Sequence, residues 1–167
     1  MPGRSRRSPK KQLLLMAIGV GVLVVTMWAV TLALPDPRPP TVEAAAAKIE
    51  SYFDRVEGSL ATSSVLDRSE EVIQEPCPLE DLGDQAMVRR VLRVDPDLDR
   101  VAWVAGLGEV FPEEDGWVVR VRTLDSRDNL GIRLVARDLT IINIVASASD
   151  GEARITLKST SECSRST

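Results

Sequence analysis

The two cysteines are the residues of this chain with the widest choice of chemistry. Cys77 lies between two prolines in EPCPLE, and Cys163 lies in SECSRST. Two thiols can form a disulfide, contribute to a zinc site or supply a nucleophile. Because the chain contains no histidine, a zinc ion would still need two more ligands, and a catalytic thiolate would lack its usual base. In an oxidising compartment we therefore expect a Cys77–Cys163 disulfide.

Two clusters of carboxylates are the other groups with catalytic potential. One contains Glu113 and Glu114 in the turn PEEDG, and the other is EDLGD, residues 80–84. Paired carboxylates can hydrolyse glycosidic bonds or bind calcium. Neither cluster matches the D-x-[DN]-x-[DN]-G calcium loop, and acidic residues in turns are usually only solvated. We predict no metal site and no cofactor, and we keep a carboxylate-dependent hydrolase of envelope polysaccharide as the enzymatic alternative.

Trp103 and Trp117 are the remaining candidates for contact with a ligand or a partner. An indole can line an apolar pocket, although a tryptophan near a predicted helix face belongs more often to the core. The lack of histidine also excludes the usual serine and cysteine triads and the H-E-x-x-H metalloprotease motif. The contact candidates are thus Trp103, Trp117, Glu113 and Glu114, and no catalytic residue is predicted.

The charge of the chain is distributed unevenly around one apolar segment. Residues 1–12 carry five of the 21 basic residues and no acid, which leaves the rest with 16 basic and 25 acidic residues, a net charge of −9. Residues 13–34, LLLMAIGVGVLVVTMWAVTLAL, carry no charge. As a helix this segment would be about 33 Å long, enough to cross a hydrocarbon core of about 30 Å. We predict a transmembrane helix over 13–34.

The basic residues before the predicted span set its orientation. By the positive-inside rule, residues 1–12 stay in the cytoplasm as a tail and the acidic part lies outside. The predicted location is the cytoplasmic membrane, with a single-pass signal anchor that contacts the lipid bilayer through residues 13–34. A cleaved secretory signal is the alternative, but its apolar region is usually shorter, about 7–15 residues. Because the exported part is acidic, we predict no nucleic-acid partner.

A proline-rich segment separates the predicted span from the folded domain. PDPRPP, residues 35–40, favours an extended, stiff stalk. The predicted extracytoplasmic domain covers residues 41–167. Thr41 can cap a helix whose apolar residues recur at steps of three or four from Val42 to Leu60. This pattern predicts an amphipathic helix that lies on a sheet.

The chain between this helix and Trp117 has weaker patterns. A short strand is predicted near residues 71–74 within irregular chain, and QAMVRRVLRV, residues 85–94, fits either a strand or a helix. A second helix follows, with Asp97 as its expected cap. Gly106 and Gly108 weaken this helix by about 1 kcal/mol each relative to alanine, and we expect them to allow close packing on the sheet.

From Trp117 onward the apolar residues alternate with a period of two. WVVRVRTL, NLGIRLVAR, LTIINIVASAS and ARITLKSTS read as four antiparallel strands, and an Asp-Gly turn joins the last two. These patterns predict a β-meander. The predicted fold class is α+β: an N-terminal transmembrane helix, followed by a domain with two helices packed on an antiparallel sheet of about four to five strands.

Several motifs occur in a recognisable order: YFDRVEGSL in the first helix, Cys-Pro at residues 77–78, Trp103 in the second helix, the meander, and S-x-C-S-R at residues 161–165. Together, across roughly residues 41–165, they resemble small actinobacterial envelope lipoproteins of the LppA-like kind. The resemblance implies a cell-envelope domain with a cysteine bridge and no established biochemical activity. This chain lacks the lipobox cysteine of that group, so the predicted transmembrane helix would replace the lipid anchor.

The leading functional prediction is a non-enzymatic, membrane-anchored binding or accessory domain of the cell envelope, outside the cytoplasm. Its partner would be an envelope protein or a small ligand. A subunit of a membrane protein complex is the second hypothesis, and the polysaccharide hydrolase is the third.

Overall fold

A computed structural model describes residues 20–24, 26–28, 39–78, 83–125, 129–149 and 151–164. They belong to two compact units, Met1–Pro37 and Arg38–Thr167. In the first unit the described residues are helical. The described part of the second unit is an α+β domain with two helices and six strands: α1 (Val42–Glu57), β1 (Val65–Pro76), β2 (Asp84–Val94), α2 (Arg100–Val110), β3 (Val118–Thr123), β4 (Leu130–Val135), β5 (Ile141–Ser149) and β6 (Glu152–Thr160).

The six described strands form one antiparallel sheet in the order β1-β2-β6-β5-β4-β3. β3 to β6 are sequential neighbours, which confirms the predicted meander. The β1–β2 hairpin joins this meander because β2 pairs with β6. The predicted sheet of four to five strands is therefore too small. The short strand predicted near residues 71–74 is in fact the 12-residue β1, and residues 85–94 form a strand and not a helix.

The first helix forms as its sequence pattern predicts. The Thr41 side chain accepts a hydrogen bond from the backbone N–H of Ala44 at 3.2 Å and so caps the first turn. The residues that recur at three- and four-residue steps are buried against the sheet. At the other end, the N–H of Gly58 donates to the carbonyl of Asp54 at 2.8 Å. The α1 helix thus covers the part of the sheet that contains β2.

The cap of the second helix lies two residues later than predicted. Asp99, rather than Asp97, accepts a hydrogen bond from the N–H of Ala102 at 2.9 Å. A Cβ atom at Gly106 or Gly108 would have no neighbour within 4 Å. The expectation that these glycines allow close packing on the sheet is therefore wrong, because they lie on the side of α2 that does not contact it.

The core lies between the helices and one face of the sheet. Both tryptophans of the domain belong to it. The Trp117 ring makes edge-to-face contacts with Tyr52 at 5.0 Å and with Phe111 at 4.7 Å, measured between ring centroids. The indole N–H of Trp103 donates to the Ser59 hydroxyl at 2.8 Å. Buried indoles need such a partner, and these contacts join α1 to α2.

The transmembrane helix predicted over residues 13–34 is the largest correction. In the part of the chain that the structure describes, no helix combines the length and the apolar character needed to cross a membrane. A membrane span needs about 20 apolar residues. The longest described helix of the folded domain, α1, has 16 residues and carries several charged ones. Of the predicted span, residues 20–24 and 26–28 are described and the others lie outside the described residues, as do residues 1–12 and 35–38. The fold class with a membrane helix, and the single-pass location that rested on it, are wrong.

A half-exposed ion-pair cluster fixes the middle of α1 to the turn between β4 and β5. Lys48 Nζ lies 2.7 Å from Asp138 Oδ2, and the Thr140 N–H donates to Asp138 Oδ1 at 3.0 Å. Burial alone would raise the pKa of Asp138, but the hydrogen bonds from Lys48 and Thr140 outweigh it and lower this pKa to about 2. The carboxylate therefore stabilises the fold while it is ionised.

We expect Asp138→Asn to lower the free energy of unfolding by roughly 0.5–1 kcal/mol at pH 7, the upper range for an exposed ion pair. Because the folded pKa lies below the unfolded one, the contribution is complete above about pH 4 and disappears as the pH falls toward 2. Urea titrations of the wild type and the variant at pH 7, 4 and 2 measure this difference in the free energy of unfolding. Asp115→Asn, which removes an exposed turn carboxylate, is the control, and an unchanged Asp138→Asn deficit at pH 2 contradicts the prediction.

Candidate binding surface

The helices cover one face of the sheet and leave the other exposed. Along β5, Ile142, Ile144 and Ala146 are buried under the helices, whereas Asn143 and Val145 are exposed. Directly paired residues on neighbouring strands point to the same face. The strand registers therefore define a continuous surface across all six strands, which we call the open face.

The open face carries seven exposed cationic side chains. They lie on four of the strands: Arg120 and Arg122 on β3, Arg133 on β4, Arg154 and Lys158 on β6, and Arg89 and Arg93 on β2. On the β1–β2 side carboxylates offset these charges, because Arg89 lies directly opposite Glu71 and Arg93 directly opposite Asp67. On β6, Arg154 forms an ion pair with Glu152. The imbalance is thus concentrated at β3 and β4.

Three arginines at this edge form a triangle of like charges. Arg120 lies directly opposite Arg133, and Arg122 lies opposite Gly131, diagonal to Arg133. Side chains in these positions are about 5 Å apart at Cβ when opposite and about 7 Å when diagonal. Among the described residues none of the three arginines has an ion-pair partner. We call Arg120, Arg122 and Arg133 the arginine triangle.

The triangle surrounds a shallow depression of the open face. This depression has a volume of about 290 Å³, and its lining includes the three arginines, Asn143 and Val145. Gly131 forms its floor, because the position between Arg122 and Val145 in this row has no side chain. A Cβ atom on Gly131 would lie 3.0 Å from the Arg122 Nε and 3.2 Å from the Leu124 Cδ2. The missing side chain therefore lets Arg122 lie across the strand.

The fold has a counterpart among solved structures. No family model and no curated protein matches the chain. The crystal structure of a DUF4853 family protein from Actinomyces odontolyticus ATCC 17982 superposes with a TM-score of 0.50 at 17% sequence identity. The two chains are similar in fold. The match covers 80% of this chain and 73% of the other, and at this identity it carries no information about function. The resemblance to LppA-like lipoproteins stays a prediction.

The contact candidates predicted from the sequence lie away from the open face. Trp103 and Trp117 are 9% and 6% exposed and belong to the core. Glu113 and Glu114 are exposed in a short 3-10 turn that precedes β3. The structure thus does not bring these four residues into one site, and their role in ligand contact stays a prediction.

The predicted disulfide between Cys77 and Cys163 is present. Its Cα atoms are 6.0 Å apart, and it lies where the end of β1 meets the chain that follows β6. Of the second acidic cluster, Glu80 and Asp81 lie outside the described residues. In the described ranges, no group of three His, Cys, Asp or Glu side chains is arranged to hold a metal ion.

The arginine triangle was not recognised from the sequence, although part of the signal is visible there. WVVRVRTL and NLGIRLVAR alternate apolar residues with arginines, and this alternation places Arg120, Arg122 and Arg133 on the side away from the core. The alternation does not predict the register in which β3 pairs with β4. That Arg120 faces Arg133, and that Arg122 faces Gly131, depends on the length and path of the connection between β3 and β4.

Proposed function

We propose that this chain is a non-enzymatic binding domain of an oxidising, extracytoplasmic compartment, and that it binds an anionic partner through the open face. The disulfide supports the compartment, because such bridges persist where thiols are oxidised. The single observation that carries the binding proposal is the arginine triangle, which lacks a counter-ion among the described residues.

The energetics distinguish this triangle from an ordinary solvated surface. Like charges directly opposite on neighbouring strands destabilise a sheet, by amounts comparable to the 0.2–1 kcal/mol or so of a favourable pair. Like charges also lie opposite each other between β2 and β6, where Arg89 faces Lys158 and Arg93 faces Arg154. Carboxylates offset these pairs, because Glu71 and Asp67 lie opposite the two β2 arginines and Glu152 forms an ion pair with Arg154. A bound anion would remove the repulsion at β3 and β4. The repulsion within the arginine triangle is not offset by carboxylates, whereas the charges on the rest of the open face are. This difference favours a binding role for the triangle.

The composition of the open face indicates what kind of contact it makes. Its described positions, read from the strand registers, hold aliphatic, hydroxyl, amide and charged side chains and no aromatic ring. Stacking of nucleic-acid bases on aromatic side chains is therefore not offered by this surface. Binding would rely on charge and on hydrogen bonds from guanidinium groups, which match oxyanions.

Hydrolysis by Glu113 and Glu114 is less well supported. Both residues are exposed in a one-turn segment, whereas glycosidase carboxylates face each other across the bond that they cleave. The proposed function is therefore binding without chemistry.

A polyanion-binding assay with matched charge variants tests the proposal. We expect the full chain to bind immobilised heparin at low salt, and the variant Arg120→Gln/Arg122→Gln/Arg133→Gln to bind at least about tenfold more weakly. Each lost contact lowers the slope of log affinity against log salt by about 0.7–0.9, so the loss of three contacts changes the slope by about 2–3. Removal of the like-charge repulsion should leave this variant at least as stable as the wild type.

The control removes the same charge from exposed arginines away from the depression. Arg93→Gln/Arg137→Gln/Arg154→Gln has the same net charge, and both variants retain the basic residues 1–12. We expect this control to bind heparin within about threefold of the wild type, since none of its three arginines lines the depression. Equal losses in both variants, or no binding by the wild type at low salt, would overturn the proposed function.

A further inference from the structure

The depression inside the arginine triangle has features of a site for one particular chemical group. We infer that it binds a phosphate group, and that the anionic partner is a linear polymer that carries phosphates. This inference rests on the proposed function, because it assigns the ligand of the same surface. It adds a specific geometry where the proposed function requires only charge.

The three arginine side chains line one depression from two neighbouring strands. Arg120 and Arg133 come from directly opposed positions on β3 and β4, and Arg122 comes from the next position of β3 on the same face. The Cβ atom that Gly131 lacks would lie 3.0 Å from the Arg122 Nε. The side chain of Arg122 therefore lies over β4, beside the depression, and does not extend away from the sheet edge.

The number of donors favours a tetrahedral oxyanion over a carboxylate. A guanidinium group can donate two parallel hydrogen bonds to two oxygens. Three such groups offer more donors than the two oxygens of one carboxylate can accept. A phosphate within a linear polymer has two non-bridging oxygens of its own, and they are arranged tetrahedrally with the bridging oxygens. Because the adjoining phosphates bring further oxygens close by, different guanidinium groups can bind different oxygens. Asn143 adds an amide and Val145 an apolar wall to the depression.

The continuation of the cationic row favours a linear polymer over a bilayer. On the open face Arg120, Arg133, Asn143, Lys158 and Arg89 occupy one row across five strands. At about 4.8 Å per strand the row is about 19 Å long. Strand twist of about 20–25° per step turns the outward direction by about 80–100° along it. A flexible chain can follow this turn, whereas a flat bilayer contacts only part of the row.

Binding of three anionic probes by the full chain tests the inference. The probes are linear polyphosphate, polyglutamate of equal charge, and vesicles that contain phosphatidylglycerol. We expect polyphosphate to bind at least about tenfold tighter than polyglutamate at the same salt concentration, because a carboxylate cannot use all three guanidinium groups. We also expect it to bind tighter than the vesicles at equal accessible phosphate.

A variant that keeps every charge separates geometry from electrostatics. Gly131→Val places a side chain where Arg122 lies, and we expect it to lose the preference for polyphosphate. The new side chain would contact the ends of the Arg122 and Leu124 side chains. Because these ends can move, the variant should still fold. Thr156→Val is the control, since it introduces the same residue in the same row two strands away from Gly131. Arg122→Lys keeps the charge but replaces the planar guanidinium, with its paired donors, by an ammonium group. It should weaken polyphosphate binding at least about fivefold.

The outcomes separate this inference from the proposed function. If Gly131→Val and Arg122→Lys both bind polyphosphate like the wild type, or if polyglutamate binds equally well, the phosphate site is wrong and the charge-based proposal stands. Tighter binding to the vesicles overturns the assignment of a polymer. If the wild type binds none of the probes, the proposed function fails as well.

Discussion

Removal of the Cys77–Cys163 disulfide is expected to lower the free energy of unfolding by about 4 kcal/mol. The two cysteines are separated by 86 residues in the chain, and the loop-entropy estimate for a bridge of this span is about 4.6 kcal/mol. A domain of ordinary stability has only about 5–15 kcal/mol in total. The reduced domain should therefore be marginally stable, which is consistent with function in an oxidising compartment.

Removal of the bridge should destabilise the end of β1 in particular, as well as the domain as a whole. Cys77 follows the edge strand β1, in which ten of 12 residues are exposed, so that few core contacts hold it. On the other side of β2, the chain after β6 is fixed by hydrogen bonds from Ser161 N–H to the Ala86 carbonyl and from Ser164 N–H to the Asp84 carbonyl, both 2.8 Å. The disulfide thus ties the end of β1 to this fixed segment across β2.

Urea unfolding and hydrogen exchange measure the two effects. Cys77→Ser/Cys163→Ser should show the lower free energy of unfolding, and the amides of β1 should exchange faster relative to those of β5. The wild type under reducing conditions is the control and should match the variant, because it loses the same cross-link. A variant within about 1 kcal/mol of the oxidised wild type would show that the bridge does not constrain the unfolded chain as the loop model requires.

The regular elements of this fold were predictable where one residue pattern decides the outcome. The α1 helix has a capping threonine and an apolar stripe, and the meander has a two-residue alternation with an Asp-Gly turn. The strand β1 lacks such a pattern because it lies at the edge of the sheet and is exposed on both sides. The strand β2 was ambiguous because Arg90 occupies a core position, where a period-two pattern predicts an apolar residue.

The long apolar segment at residues 13–34 shows a different limit. Hydropathy measures composition, and the described part of the chain contains no helix that is both long and apolar enough to cross a membrane. The open face shows a third limit, because its composition is visible in the sequence but its charge pattern is not. Arg120 and Arg133 are brought together by strand pairing, and pairing is a property of the tertiary structure.

Arg90 is the buried charge on which the β1 side of the domain depends. Its side chain is 1% exposed. Its Nη1 donates to Asp54 Oδ1 at 2.7 Å and to Glu57 Oε2 at 3.0 Å on α1. Its Nε donates to Glu70 Oε2 at 2.5 Å on β1. Burial alone would lower the pKa of Arg90, but the hydrogen bonds to Asp54 and Glu70 raise it. One side chain of β2 thus joins α1 and β1.

We expect Arg90→Ala to lower the free energy of unfolding by about 3–4 kcal/mol, because it empties a buried space, removes three hydrogen bonds to charged groups and leaves Glu57 and Glu70, each 23% exposed, without their counter-charge. The adjacent Arg89→Ala is a matched control. Arg89 is exposed on the open face of the same strand, so its removal should change stability by less than about 0.5 kcal/mol. Urea titrations of both variants at pH 7 measure the difference.

A compensated variant shows whether the loss comes from the missing cation or from the carboxylates that it leaves behind. Arg90→Met/Glu57→Gln/Glu70→Gln removes the buried charge from both sides and keeps an apolar side chain of similar length. The reference for this variant is Arg90→Met, which has the same side chain at position 90. If unpaired carboxylates cause the loss, the triple variant should be at least about 2 kcal/mol more stable than Arg90→Met, since neutral replacement of a buried ionic cluster is often tolerated. If it is no more stable than Arg90→Met, the guanidinium itself supplies the stability, through its three hydrogen bonds and its position 5.6 Å from the centroid of the Phe53 ring.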